Sequence, residues 1–310
     1  MTAGAAYCPT VRVLTMDISV ITVAYRSAGT IAASMDSVLR QRNVSAELLV
    51  VDNASPDNTL EILKKFGSKI RLIESRENVG FGRGCNLGFA AAQGKYAYFL
   101  NPDAELVGND ALQTLCRAMD DHSQWAIAGT RVMKSDGEIE APSLMYPDQD
   151  RASVDFSSLP GKIAWVIGAS MLVRRDTFEQ LGGFDPDFFM YGEETDLCLR
   201  ARRAGSEIGY IENVEVRHIG GASEQGKDPY EVWIRRTKGL HQFWTKHYSP
   251  TDVARLMRLN CARARYRMIV NGLVACVAGR GSRAWEKERR YRAVWEMSRP
   301  GKSVNPGPGT

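Results

Sequence analysis

Leu48-Leu49-Val50-Val51-Asp52-Asn53-Ala54-Ser55 is four aliphatic residues running straight into an acid, an amide and a turn. A short, continuously apolar run bounded by turn residues reads as a strand buried on both faces. Upstream, Asp17 to Ala24 (DISVITVA) reads as another strand, and Ile31, Met35, Val38 and Leu39 fall at helical spacing between the two. Downstream, Pro56-Asp57 opens a helix through Phe66 with Asp57 as its cap. Ile70 to Ile73 is a third strand, Phe81 to Gln93 a helix, and Tyr96 to Leu100 a fourth strand. Apolar strands alternating with helices predict a mostly parallel sheet covered on both faces, an α/β Rossmann-like fold. Ligands bind such sheets at the carboxyl ends of the strands. That rim is where Tyr25, Asp52 and Asn101 to Glu105 fall.

Beyond this half, Ala164 to Val173 reads as a long strand and Thr195 to Ala204 as a helix. Ile208 to Ile211 and Val214 to His218 read as a hairpin or strand pair. Tyr230 to His247, Pro250 to Ala278 and Ala284 to Met297 read as basic, aromatic-rich helices. Four parts are expected: a leader over 1–15, with Met16 as an alternative start, a catalytic domain over 16–224, a basic helical extension over 225–297 and a tail over 298–310. In 310 residues, 44% of them hydrophobic, there is ample material for a core. No apolar run reaches the length of about 18 residues that would mark a membrane span, and the first 15 residues lack the apolar stretch of a secretory signal. Six cysteines without a close pair fit reduced thiols in the cytoplasm better than a disulfide framework or a zinc site.

Each polar cluster on the rim has two readings. Asp52 can bind a nucleobase imide or ribose hydroxyl, or cap a turn. Asn101-Pro102-Asp103-Ala104-Glu105 can hold a divalent cation that bridges a diphosphate, or make an ordinary turn. Glu193, Glu194 and Asp196 can supply a general base, or answer the dipole of the helix they precede. His218, followed by Ile219-Gly220-Gly221, can be a metal ligand or a structural histidine.

In their order along the chain these segments resemble family 2 glycosyltransferases, in particular the bacterial rhamnosyltransferase-like branch. The resemblance rests on VITVAY (20–25), VVDNAS (50–55), ENVGFGRGCNLG (77–88), LNPDAEL (100–106), GASMLVRR (168–175), GGFDPDFFMYGEETDLCLRARRAG (182–205) and HIGGAS (218–223). It covers residues 17–223 and implies a GT-A fold and an inverting single displacement. The donor would be a nucleoside diphosphate sugar of dTDP or UDP type, rhamnose among the candidates, and the acceptor a glycan or lipid-linked hydroxyl in cell-surface polysaccharide synthesis. By position it implies that Asp52 contacts the base, and that Tyr25, Asn78, Arg83 and Asn101 lie near the donor. Asp103 then stands in the family's Asp-x-Asp motif as a ligand to Mn²⁺ or Mg²⁺, with His218 as a second and Glu105 compensating for Asn101. The family's Glu-Asp base motif becomes Glu193-Glu194, which makes Glu194 the base and Asp196 the second choice. Trp165 and Gly168 resemble the acceptor-side wall. Two rivals remain at this stage: a nucleotidyltransferase on a similar sheet, and a non-catalytic sugar-nucleotide or membrane-binding protein.

Charge is unevenly spread. Residues 225–310 hold 18 Lys or Arg against 6 Asp or Glu, so this part carries +12 in a chain of net +4. Such asymmetry marks a surface for something anionic. Met268 to Ala278 (MIVNGLVACVA) is apolar and flanked by Arg263, Arg265, Arg267, Arg280 and Arg283. It reads as an in-plane helix on an anionic membrane surface at the inner face of the cytoplasmic membrane, or as a packing or homodimer contact. Nucleic acid is not expected, because no base-reading motif accompanies the charge.

Overall fold

The computed structural model describes residues 16–220 and 227–299; the expected leader, most of the tail and part of the HIGGAS segment lie outside them. Strands β1 (Met16–Ala24), β2 (Ala46–Asp52), β3 (Arg71–Glu74) and β4 (Gly94–Leu100) form the parallel half of the sheet, ordered β3-β2-β1-β4. Their side chains alternate between two cores. Val20, Leu48 and Val50 point to the face covered by α1 (Ile31–Leu39), and Ile21, Val23, Leu49 and Val51 point to the other. This two-sided burial is why the strands read as unbroken apolar runs.

Helix α3 (Phe81–Ala91) lies on that second face with unusual closeness. A Cβ on Gly84 would stand 2.8 Å from Val23, and one on Gly88 would stand 2.5 Å from Ile21. The two glycines are one helical turn apart and make a smooth strip against β1. Helix α2 is shorter than the sequence reading, Thr59–Lys64, and Asp57 serves the turn before it by accepting from the Thr59 and Ala28 amides.

The second half of the sheet is mixed. After β5 (Ala104–Leu106), α4 (Ala111–Asp121), β6 (Trp125–Lys134) and β7 (Ile139–Glu140), the chain returns through β8 (Ser170–Arg174) and α5 (Arg175–Gln180). Strand β8 runs antiparallel to both β4 and β6. The expected long strand from Ala164 is therefore only its last part: Trp165 instead bridges Ser143, and Gly168 turns the chain under the site. After α6 (Glu193–Arg203), the two runs expected as a strand pair form one strand, β9 (Glu207–His218). It stays parallel to β6 throughout and absorbs Glu212 to Val214 as an irregularity between Ile211 and Glu215.

Helices α7 (Pro229–His247), α8 (Pro250–Ala278) and α9 (Arg283–Met297) follow, close to their expected bounds. Helix α7 and the first turns of α8 share a third core with the 146–164 segment, built from Tyr146, Phe156, Phe188, Phe243, Trp244, Tyr248 and Leu256. The Trp244 indole and the Tyr248 hydroxyl both donate to the Pro147 carbonyl, at 3.3 and 2.6 Å. Ser153 in turn donates to Asp252 in the first turn of α8, at 2.5 Å through its hydroxyl.

Candidate active site

Asp52 ends β2 directly opposite Ala24. It is 3% exposed; one carboxylate oxygen accepts from the Ser55 amide at 3.3 Å, while Oδ1 is buried without a hydrogen-bond partner. A buried acceptor left unmatched is costly, which marks a position waiting for a donor. Asn53 beside it is a structural pin. Its amide donates to the Asn78 side chain and the Gly80 carbonyl and accepts from the Val79 amide, all within 3.0–3.1 Å.

Asn78 is thus held at the Asp52 end of the sheet, although its contacts are to the loop itself. Arg83, expected near the donor, is exposed on α3, and its Nε donates to the Pro186 carbonyl at 2.6 Å. Tyr25 is half-buried between two cations, Arg26 at 5.7 Å and Lys227 at 5.9 Å from its ring centre. Sequence reasoning missed Lys227, which no motif marks.

The Asn-Pro-Asp turn meets His218 because β5 pairs antiparallel with β9, setting Ala104 opposite His218 across more than a hundred residues of chain. The Asp103 Oδ1 lies 3.3 Å from the His218 Nε2, and the Asn101 amide nitrogen lies 3.4 Å from the same ring atom. Asp103 is 6% exposed and His218 8%. A carboxylate oxygen and an imidazole nitrogen facing each other are an oxygen–nitrogen pair of the kind that divalent transition metals accept. Glu105 does not complete a trio with them: among the described residues no three His, Cys, Asp or Glu side chains gather as a metal cage. It sits on the strand between the buried Ala104 and Leu106, opposite Arg217, so the pleat sends it to the other face.

The base motif reaches the same rim through the 168–169 step. The Asn101 amide donates to the Ala169 carbonyl at 3.0 Å, and a Cβ on Gly168 would lie 3.6 Å from the Glu194 Cβ and 3.4 Å from Phe81. Trp165, three residues earlier, is anchored through its indole to the Met145 carbonyl at 3.1 Å. Gly168 and Glu194 are therefore neighbours.

The three acids play different parts. Glu194 is half-buried in the first turn of α6. Burial raises its carboxyl above the usual range, the backbone amides of Glu194 and Gly192 offset this in part, and Glu140 adds to it. Glu193 is 3% exposed beneath it, with Oε2 unpartnered. Burial, then the charges of Glu194 and Asp196, push its carboxyl well up. An unfolded chain releases that proton near the ordinary value of 4.5, whereas the folded one holds it. Stability is therefore fully present below about 4.5 and falls as pH rises towards the folded value. Glu193→Gln removes this slope, so its thermal midpoint should gain on the native protein as pH rises from 4.5 to 8. Parallel melting curves across that range would refute the assignment.

Asp196 is held on two sides. It is 1% exposed, and its oxygens accept from the Arg200 Nε at 2.8 Å and face the His247 Nε2 at 2.7 Å. Arg203 donates to the other His247 nitrogen at 2.9 Å, which leaves Nε2–H to donate to Asp196. This lock ties α6 to α7. Asp196→Asn should cost roughly 1–3 kcal/mol of stability, the worth of hydrogen bonds to a charged group, read in a thermal melt. Turnover below the melting range should stay within about tenfold, since the change touches no positioned base.

A second tie lies about two turns earlier in α7. A Cβ on Gly239 would stand 1.9 Å from the Tyr191 carbonyl oxygen, and Tyr191 itself holds a positive φ of 70° just before the base motif. Gly239→Ala should therefore cost about 1–3 kcal/mol through overpacking and shift the Tyr191–Glu194 segment. Wild-type stability and turnover in that variant would refute the close approach.

Residues 19–182 match the model of "Glycosyl transferase family 2", more than half of the chain. The chain belongs to glycosyl transferase family 2. Residues 105–278 also match the related "Glycosyl transferase family group 2", which carries the likeness into α8. This family 2 glycosyltransferase is 27% identical over 247 residues to the N-acetylglucosaminyl-diphospho-decaprenol L-rhamnosyltransferase of Mycobacterium tuberculosis, covering 69% of this chain and 78% of that one. Among solved structures, S. aureus TarS 1–349 in complex with UDP-GlcNAc superposes with a TM-score of 0.54 at 18% identity, covering 93% of each chain. The mannosyltransferase PcManGT of Pyrobaculum calidifontis, in complex with GDP-Man and Mn²⁺, gives 0.57 at 18% identity, covering 91% of this chain and 87% of that one. At these identities the two structures establish the fold, which is GT-A.

Proposed function

We propose that the enzyme transfers a sugar, with rhamnose as the first candidate, from a dTDP- or UDP-linked donor to a hydroxyl of a glycan or lipid-linked acceptor, with inversion at the anomeric carbon. The observation that carries this reading is the convergence of Asp52, the Asp103–His218 pair and Glu194 on one rim of the sheet. The Mycobacterium tuberculosis relative's name supports the rhamnosyl and lipid-diphosphate part.

The orphaned Asp52 oxygen accepts the imide N–H of a uracil or thymine, which would match a buried acceptor left open at the end of β2. Asn53 and Asn78 keep the loop beside Asp52 in place, with Asn78 at the donor end of the sheet. Asp103 and His218 would hold a divalent cation, Mn²⁺ suiting the mixed oxygen and nitrogen pair better than Mg²⁺. When bound, the ion supplies positive charge against the diphosphate that departs. Glu194 takes the proton of the acceptor hydroxyl as its oxygen bonds to the anomeric carbon, and the bond from that carbon to the diphosphate oxygen breaks. A carboxyl held above its usual range by burial is better matched to proton transfer near neutral pH. Gly168 leaves space beside Glu194, and Trp165 offers the acceptor ring an apolar face.

A panel of nucleotide sugars in thermal shift with Mn²⁺ identifies the donor, because a ligand of the native state alone raises its midpoint. The anomeric configuration of the product, read by NMR, then tests the mechanism. Product with the donor's own configuration would overturn single displacement.

A further inference from the structure

We infer that one face of α8 docks in the plane of an anionic lipid surface. This goes beyond the sugar-transfer reading and does not depend on it. The first turns of α8 are buried against the 146–164 segment through Asp252 and Leu256, and its later turns pack on α9, with Arg267 donating to the Tyr291 hydroxyl at 2.7 Å. The remaining side of those later turns has no cover among the described residues. Tyr266 is 70% exposed, Leu273 68% and Val277 91%, with Leu259 and Val270 also open. These five positions are spaced by seven, four, three and four residues, so they lie along a single stripe of the helix. Ile269 and Val274 broaden it. A contiguous apolar strip of this kind on a water-facing helix marks an interaction surface.

Charge decides between occupants. Helix α8 carries five arginines and a single acid, Asp252, which is buried at its start. Arg258, Arg263 and Arg265 are exposed along the helix, and Arg280 and Arg283 lie beyond its end. A second copy of the chain would bring two such cationic units, each part of a segment of net +12, against one another. An anionic bilayer offers the opposite charge to the arginines and an acyl boundary to the strip. From Tyr266 to Val277 the strip runs about 17 Å at 1.5 Å per residue. No helix of the described residues is long and apolar enough to cross a membrane. The geometry is that of a helix lying on the surface, with Tyr266 at the level where an amphipathic ring is favoured.

The test uses the full chain and vesicles of phosphatidylcholine with or without phosphatidylglycerol. The native protein should co-sediment with the anionic vesicles at about 50 mM salt and be released at about 500 mM, because screening shortens the reach of surface charges. Leu273→Glu with Val277→Glu should lower the bound fraction at least tenfold while leaving circular dichroism and nucleoside diphosphate affinity unchanged. Leu273→Trp should show a blue-shifted emission on anionic vesicles, which adsorption by charge alone would not give. Failure of the native protein to bind at low salt, or undiminished binding of the double variant, overturns the inference. So does a lipid-free dimer in sedimentation equilibrium that the double variant dissolves, since the strip would then be a contact between copies.

Discussion

Glu194→Gln is expected to bind donor as the native enzyme does and to lose turnover by about 10²–10⁴-fold, the contribution of a positioned general base. The substitution keeps the shape of the side chain, so the packing with Gly168 and Phe81 survives. Because burial lifts the Glu194 carboxyl, the native enzyme should lose activity on the acid side at a pH above the ordinary carboxylate range, and activity should rise as that proton leaves. The residual activity of Glu194→Gln should lack this acid limb. Single-turnover measurements across pH read both effects. Full turnover in Glu194→Gln, with the same acid limb, would remove Glu194 from the reaction.

Asp103→Ala is expected to weaken Mn²⁺-dependent binding of the nucleoside diphosphate by at least about 10²-fold, since a bound cation is worth several kcal/mol against diphosphate charge and each 1.4 kcal/mol is tenfold. Binding without metal should change little, and so should the fold, because the residue sits in a turn before a three-residue strand. His218→Gln should show the same metal-specific loss. Calorimetry with and without Mn²⁺ separates the two outcomes. Equal affinity of native and Asp103→Ala protein in Mn²⁺ would mean that the 3.3 Å pair is only a hydrogen bond.

The parallel half of the sheet was legible because burial on both faces leaves a signature within each strand, as at Leu48 to Val51. The segment between Leu106 and Ala164 was not, since β6 and α4 carry no motif and take their meaning from partners far along the chain. For the site, the order of motifs pointed to Asp103, His218 and Glu194. It could not separate Glu194 from Asp196, two carboxylates two residues apart on one helical turn. What sets their surroundings apart is His247, which belongs to a helix without motifs of its own and meets Asp196 alone of the two. Glu105 was counted by proximity in sequence, while the pleat of β5 set it on the opposite side from Ala104.

The contact between Asp196 and His247 bears on how this enzyme can be recombined with its relatives. Exchange of the C-terminal helices is an obvious route to new acceptors, and the end of the motif-bearing region near residue 224 is the obvious seam. A graft at that seam would replace His247 and Gly239 together, stripping α6 of its lock and crowding the turn ahead of it. Chimeras joined after Tyr248 keep both, and exchange only α8 and α9. A seam after α7 therefore keeps two contacts that a seam near residue 224 would break.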